Sequence, residues 1–190
     1  LAREALQQAN AAFPQGSSSW PYPNRAAASA AQTHCARQRP DGTTHLETIH
    51  GLTSLVADAI STPAAKAFWQ HTGLGASSRL AAVALGHDSA PNPEAGASAR
   101  FSVVQRLAEI YGCQPEAISL HSSGMTALHR ALELVCDAKP TRPVLQIGFP
   151  YVDVLKLPQM VFAGAELLLD DRAASVQSTL DSLRPAAVVV

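Results

Sequence analysis

AISLHSSGMTALHRALELVC, residues 117–136, holds the pattern on which the reading of this chain turns. A short apolar run at 117–120 passes through His121-Ser122-Ser123-Gly124. Met125, Leu128, Leu132 and Val135 then recur at helical spacing, so the stretch predicts strand, turn and helix. A helix that opens this way leaves several backbone N–H groups without an intrahelical acceptor. Those donors and the positive end of the helix dipole suit a phosphate or a carboxylate. The plainer reading is that Ser122 or Ser123 only caps the helix while Gly124 relieves a tight turn.

C-terminal to this stretch the same alternation continues. Strands are predicted at 143–147, 165–169 and 186–190, with helices at 151–157 (ending at Pro158) and 175–183 between them. Just before the turn, residues 99–111 read as a helix with Phe101, Val104, Ala108 and Tyr111 on one face and Gly112 closing it. Strands separated by single helices imply a three-layer α/β sandwich with a mixed, mostly parallel sheet.

The other half of the chain is less regular. Residues 1–13 carry a weak helical stripe, and residues 14–44 hold four prolines, a serine run and an Ala-rich patch, a composition expected of an arm or linker. Trp20 and Tyr22 lie between those prolines as candidate anchors. Leu46, Ile49, Leu52, Leu55, Val56 and Ile60 have near-helical spacing and predict a helix over 46–60. Thr62 and Pro63 start another over 64–71, a third spans 77–85, and Pro91-Asn92-Pro93 to Gly96 reads as a loop. The division expected is a helical and irregular N-terminal part, 1–98, and a second part, 99–190.

Charge excludes some partners. With 14 basic and 15 acidic residues, nothing attracts nucleic acid or an anionic membrane surface, and no apolar run approaches a membrane span. Three widely spaced cysteines, Cys35, Cys113 and Cys136, suit reduced thiols and a cytoplasmic setting. The chain starts with Leu and stops inside an apolar run, so it reads as a piece of a longer protein.

Three further motifs invite chemistry. Gly73-Leu74-Gly75 resembles a dinucleotide fingerprint but follows a predicted helix and lacks a third glycine. His45 and His50 are five apart, and no HExxH or CxxC spacing occurs, so no metal site is expected. His121 reads as a strand-end residue rather than a catalytic group. Tyr151 follows Gly148-Phe149-Pro150 at the carboxyl end of a predicted strand, where open α/β sheets bind ligands. Its ring could stack on a flat cofactor facing Ser123, Gly124 and Met125.

The turn Ser122-Ser123-Gly124-Met125 followed by a small residue resembles the phosphate-binding turn of the cystathionine γ-synthase/γ-lyase family. The preceding Val103-Val104-Gln105-Arg106-Leu107-Ala108-Glu109 and the later Pro150-Tyr151 are similar to that family's helix and its ring-stacking tyrosine. The resemblance covers residues 100–190. It implies a fold-type I enzyme that uses pyridoxal 5′-phosphate (PLP) for elimination or replacement on a sulfur-containing or O-acylated amino acid. It also implies a homo-dimer or homo-tetramer. Ser123, Gly124 and Met125 would hold the phosphate and Tyr151 the ring. The family's Tyr-x-Arg phosphate contact has His87 and Ser89 in its place when aligned on Asn92-Pro93, which leaves Arg100 as the substitute. The family's Schiff-base lysine and pyridine partner would lie beyond residue 190. Neither Lys66, Lys139 nor Lys156 matches that lysine's flanks. Alternatives are another fold-type I enzyme, namely an aminotransferase, decarboxylase or desulfurase, or a non-catalytic α/β binding domain.

Overall fold

Asn24 accepts the N–H of Ala27 at 2.9 Å and starts helix α1, Arg25–Gln38, inside the stretch whose prolines suggested a linker. The computed structural model describes residues 16–149 and 151–190, so the helix predicted over 1–13 and the residue Pro150 lie outside it. The Ala-rich patch proves to be a packing face. Ala27, Ala28, Ala31 and Cys35 are buried against a sheet, and their small side chains let the helix lie close to it. The large residues of that core come from elsewhere: Trp20 and Tyr22 from strand β1 (Ser18–Tyr22), Leu55 from β3 (Leu52–Ala57), and Phe68 from α2 (Thr62–His71). The expectation of an irregular arm is therefore corrected, because capping and an alanine stripe outweigh the flanking prolines.

Residues 46–60 do not form the predicted helix. They contribute to a hairpin of β2 (Thr44–Ile49) and β3 (Leu52–Ala57), joined by His50 and Gly51. Both linking residues have positive φ, 49° and 77°, as a two-residue hairpin turn of the primed type requires. The apolar residues fit both periods. The β-branched Thr44, Thr48, Ile49, Thr53 and Val56, with glycine in the turn, favour the strand pairing. The first sheet has order β1-β3-β2 and is antiparallel throughout.

Helices α2 (Thr62–His71) and α3 (Ser78–Ala84) follow, close to the predicted spans. Helix α4, Pro93–Tyr111, starts earlier than expected. Asn92 caps it through Glu94 N at 2.9 Å and Pro93 takes the first position, so the predicted loop is a helix start. Only Ala108 of this helix is buried.

The apolar run at 117–120 is not a strand. Pro115–Ala117 makes a single 3₁₀ turn, and Ile118 is extended (φ −106°, ψ 123°) without a ladder partner among the described residues. Helix α5 (Gly124–Cys136) then leads to β4 (Val144–Ile147), α6 (Val152–Val161), β5 (Ala165–Leu168), α7 (Ala173–Leu183) and β6 (Ala187–Val189). Helix α6 continues past Pro158, its last turn held by Phe162 N to Pro158 O at 3.0 Å.

This second sheet is parallel, in the order β5-β4-β6. The β-structure is therefore divided between two sheets, one antiparallel and one parallel, rather than gathered in the single mixed sheet expected. Val144, Leu145 and Gln146 are consecutive and all buried, so both faces of β4 are covered. Leu132, Cys136, Leu157 and Ala186 pack with Val144 in one core. Val161 packs on both this core and that of the first sheet. Helix α2 lies between the two, against β1 and β3 on one side and α6 on the other.

Candidate functional site

Ser123 begins α5 as its cap. The hydroxyl accepts the Thr126 N–H at 3.1 Å and lies 2.9 Å from the Thr126 hydroxyl, with the Ser122 hydroxyl 3.4 Å from the same oxygen. The cap takes one of the four N–H groups that a helix start leaves over, and Gly124 and Met125 carry two of the others. A methyl placed on Gly124 would meet nothing within 4 Å. Three hydroxyls, two amides and open space therefore stand together at the positive end of a 13-residue helix. The Ser123 cap leaves the Gly124 and Met125 amides without an intrahelical acceptor.

Arg100 reaches this region from α4 and donates to Leu120 O at 3.1 Å, beside the run that enters the turn. His121 Nε2 lies 2.9 Å from Ser119 Oγ, in an irregular segment rather than at a strand end. Along the side of α5, a groove is lined by Asn24, His121, Thr126, His129, Arg130 and Glu133, the last two paired as ions. His129 is buried with its ring edge-on to Phe162, and burial pushes its pKa below the ordinary imidazole value.

Tyr151 stands just past β4, exposed and immediately before α6. The chain leaves β4 for β5 on one side and returns to β6 on the other, so strand order reverses at β4. The carboxyl end of such a strand is the ligand-binding crevice of open parallel sheets. Phe149, Tyr151, Val152, Leu155 and Leu167 line a largely apolar groove there. No protein-family model, curated protein or solved structure matches the chain. Its chemistry rests on its own residues. Ser123 and Tyr151 were expected to face one ligand; Thr126, which Ser123 caps, lines one groove and Tyr151 another.

What joins them is the end of α2. Thr126 Oγ1 donates to Gly73 O at 2.8 Å, and the His129 ring approaches Thr72 O at 3.4 Å. The preceding residue, His71, reaches the other way. Its Nδ1 is 2.6 Å from Asp153 Oδ1, and Lys156 Nζ is 3.2 Å from its Nε2. Asp153 also accepts from the Tyr151 phenol, and that hydrogen bond, with the carboxylate charge, raises the Tyr151 pKa above the ordinary phenol value. Three successive residues, His71, Thr72 and Gly73, thus connect the α5 turn to the Tyr151 loop.

The sequence reading named Ser123, Gly124, Met125, Arg100 and Tyr151 as candidates and did not name His71 or Asp153. Asp153 and Lys156 are three apart on α6, a spacing that places them on one face and was legible. His71 is 82 positions from Asp153 and carries no local mark of the contact. Gly73 and Gly75 have a packing role. Gly73 has φ +70° and abuts Met125 and Thr126, while a methyl on Gly75 would lie 2.6 Å from the Trp69 indole nitrogen. Among the described residues no group of three His, Cys, Asp or Glu side chains could hold a metal ion, and no helix is long and apolar enough to cross a membrane. Cys35 and Cys136 are buried free thiols and Cys113 is exposed.

Proposed function

We propose that this chain supplies the phosphate-holding part of a PLP-dependent enzyme acting on sulfur-containing amino acids, of the fold-type I, three-layer kind. The observation that carries the reading is the turn at Ser123 and Gly124. Its serine cap leaves the Gly124 and Met125 amides over, and the space above Gly124 is open. A phosphate monoester fits such a donor set by charge and by hydrogen-bond direction. Ser123 and the amides of Gly124 and Met125 would hold it, with the Ser122 and Thr126 hydroxyls beside them. Arg100 lies close enough through Leu120 to add charge from α4.

When bound, the cofactor supplies an electron-withdrawing ring that eases bond breaking at a substrate's α-carbon. The chain's own work is binding and orientation. Tyr151 offers an exposed ring for stacking, and Asp153 holds its phenol in the protonated form. The catalytic lysine and the partner of the ring nitrogen belong to residues beyond 190 in this reading, and assembly as a homo-oligomer in the cytoplasm goes with it. The exposed apolar residues Phe101, Ile110 and Tyr111 of α4 favour such an assembly.

The test uses pyridoxine 5′-phosphate, which has the phosphate and ring but no aldehyde, titrated into the 190-residue chain by calorimetry. Binding should occur and should weaken about tenfold or more in Gly124→Val, with the urea midpoint nearly unchanged because that position is open. Binding of equal strength in the variant, or none in the parent chain, refutes the proposal.

A further inference from the structure

Asp153, His71 and Lys156 form a line of titratable groups across the contact between α2 and α6. Asp153 and Lys156 are three residues apart on α6 and could pair directly. Instead an imidazole from the other helix stands between them, with the carboxylate at one ring nitrogen and the amine at the other. The 2.6 Å contact assigns the Nδ1 proton to the Asp153 side, so Nε2 presents its lone pair to Lys156. The His71 and Asp153 side chains are only 20% and 12% exposed, which limits competition by water for either contact. Lys156 itself is half-buried and remains open to solvent on one side. This is the order orienter, base, nucleophile, with an amine as the nucleophile.

We propose that Lys156 is a carbonyl-capturing amine whose ligands are small aldehydes, with His71 as its base and Asp153 positioning the imidazole. The Lys156 ammonium passes one proton to His71 Nε2, and the imidazolium so formed is paired with Asp153. The freed lone pair attacks the aldehyde carbon, the C=O π pair moves to oxygen, and a proton moves from nitrogen to that oxygen. His71 then returns its proton to the hydroxyl, which leaves as water as the C=N bond forms. The protonated amine and the aldehyde thus give the protonated C=N adduct and one water, with no oxidant or reductant consumed. Small aldehydes are the class that fits, because Lys156 stands at a seam between two helices. The inference does not rest on the PLP reading, whose phosphate turn is at the start of α5, away from the contact between α2 and α6.

The test is reductive alkylation of the 190-residue chain with propanal and cyanoborohydride at neutral pH, with each amine followed by peptide mass mapping. Lys66 and Lys139 are exposed and serve as comparators in the same tube. On accessibility alone they should react first. With His71 as base, Lys156 should react at least about tenfold faster than either, a threshold set below the roughly 10²–10⁴-fold that a positioned base supplies. In His71→Gln and in Asp153→Asn the advantage should vanish, while Lys66 and Lys139 keep their rates as a check that the fold is intact. Should one variant fail to fold, the other and the parent chain still decide. Lys156 reacting no faster than Lys66 and Lys139 in the parent chain, or keeping its advantage in a folded variant, overturns the proposal.

Discussion

Replacing Gly73 by alanine should destabilise the fold well beyond the usual cost of a surface glycine. The added methyl would lie 2.7 Å from Met125 Cβ and 2.8 Å from the Thr126 backbone nitrogen. Neither neighbour is the free end of a side chain, so α2 and α5 must separate. Three effects combine. The left-handed backbone at φ +70° costs a non-glycine residue about 1–2 kcal/mol. Overpacking at a rigid contact costs about 1–3 kcal/mol. The 2.8 Å bond from Thr126 Oγ1 to Gly73 O is worth about 0.5–1.5 kcal/mol and is lost if the helices move apart. A loss of about 3–5 kcal/mol is expected, a large share of the roughly 5–15 kcal/mol that holds a domain folded. Gly112 supplies the control, since it closes α4 at φ +62° with nothing within 4 Å of an added methyl. Gly112→Ala should cost only about 1–2 kcal/mol. Urea unfolding followed by the fluorescence of Trp20 and Trp69, whose rings pack 5.9 Å apart, reads both variants on one scale. Equal losses in the two would refute the close contact between the α2 turn and α5.

Two further predictions concern protons. Asp153→Asn removes the charge that holds the Tyr151 phenol above its ordinary range, so the tyrosine should titrate at lower pH. Phenolate absorbance, with Tyr151→Phe identifying the contribution, checks this, and an unchanged titration would break the link between the two residues. Burial lowers the pKa of both His34 and His129 in the folded chain. The unfolded chain therefore takes up protons that the folded one refuses. Stability should be fully present above the ordinary histidine value of about 6.5 and fall as pH drops through it toward the lowered folded values. Urea midpoints across that range should show a slope that flattens in His129→Asn, and an equally steep slope in the variant would refute the assignment.

The elements legible in the sequence are those whose hydrogen bonds close locally. Thr62 and Pro63 start α2, and Gly112 ends α4. Met125, Leu128 and Leu132 mark α5, because a helix satisfies each N–H four residues away and needs only a start, a stop and a stripe. The candidate phosphate turn was legible for the same reason: Ser123, Gly124 and Met125 are consecutive. Strands need a partner that the sequence does not name. Residues 46–60 satisfied a helical period and became most of two of the three strands of a sheet once β1 was available beside β3. The run at 117–120 has no ladder partner among the described residues. The same limit governs the site. Asp153 and Lys156 share a helix face by their spacing alone. That His71 stands between them, and that Gly73 seats α5 against α2, was decided by the packing of α2 against α6 and α5, through contacts 82 and 53 positions apart in sequence. A contact of that kind is set by which surfaces are buried together, and no local pattern records it.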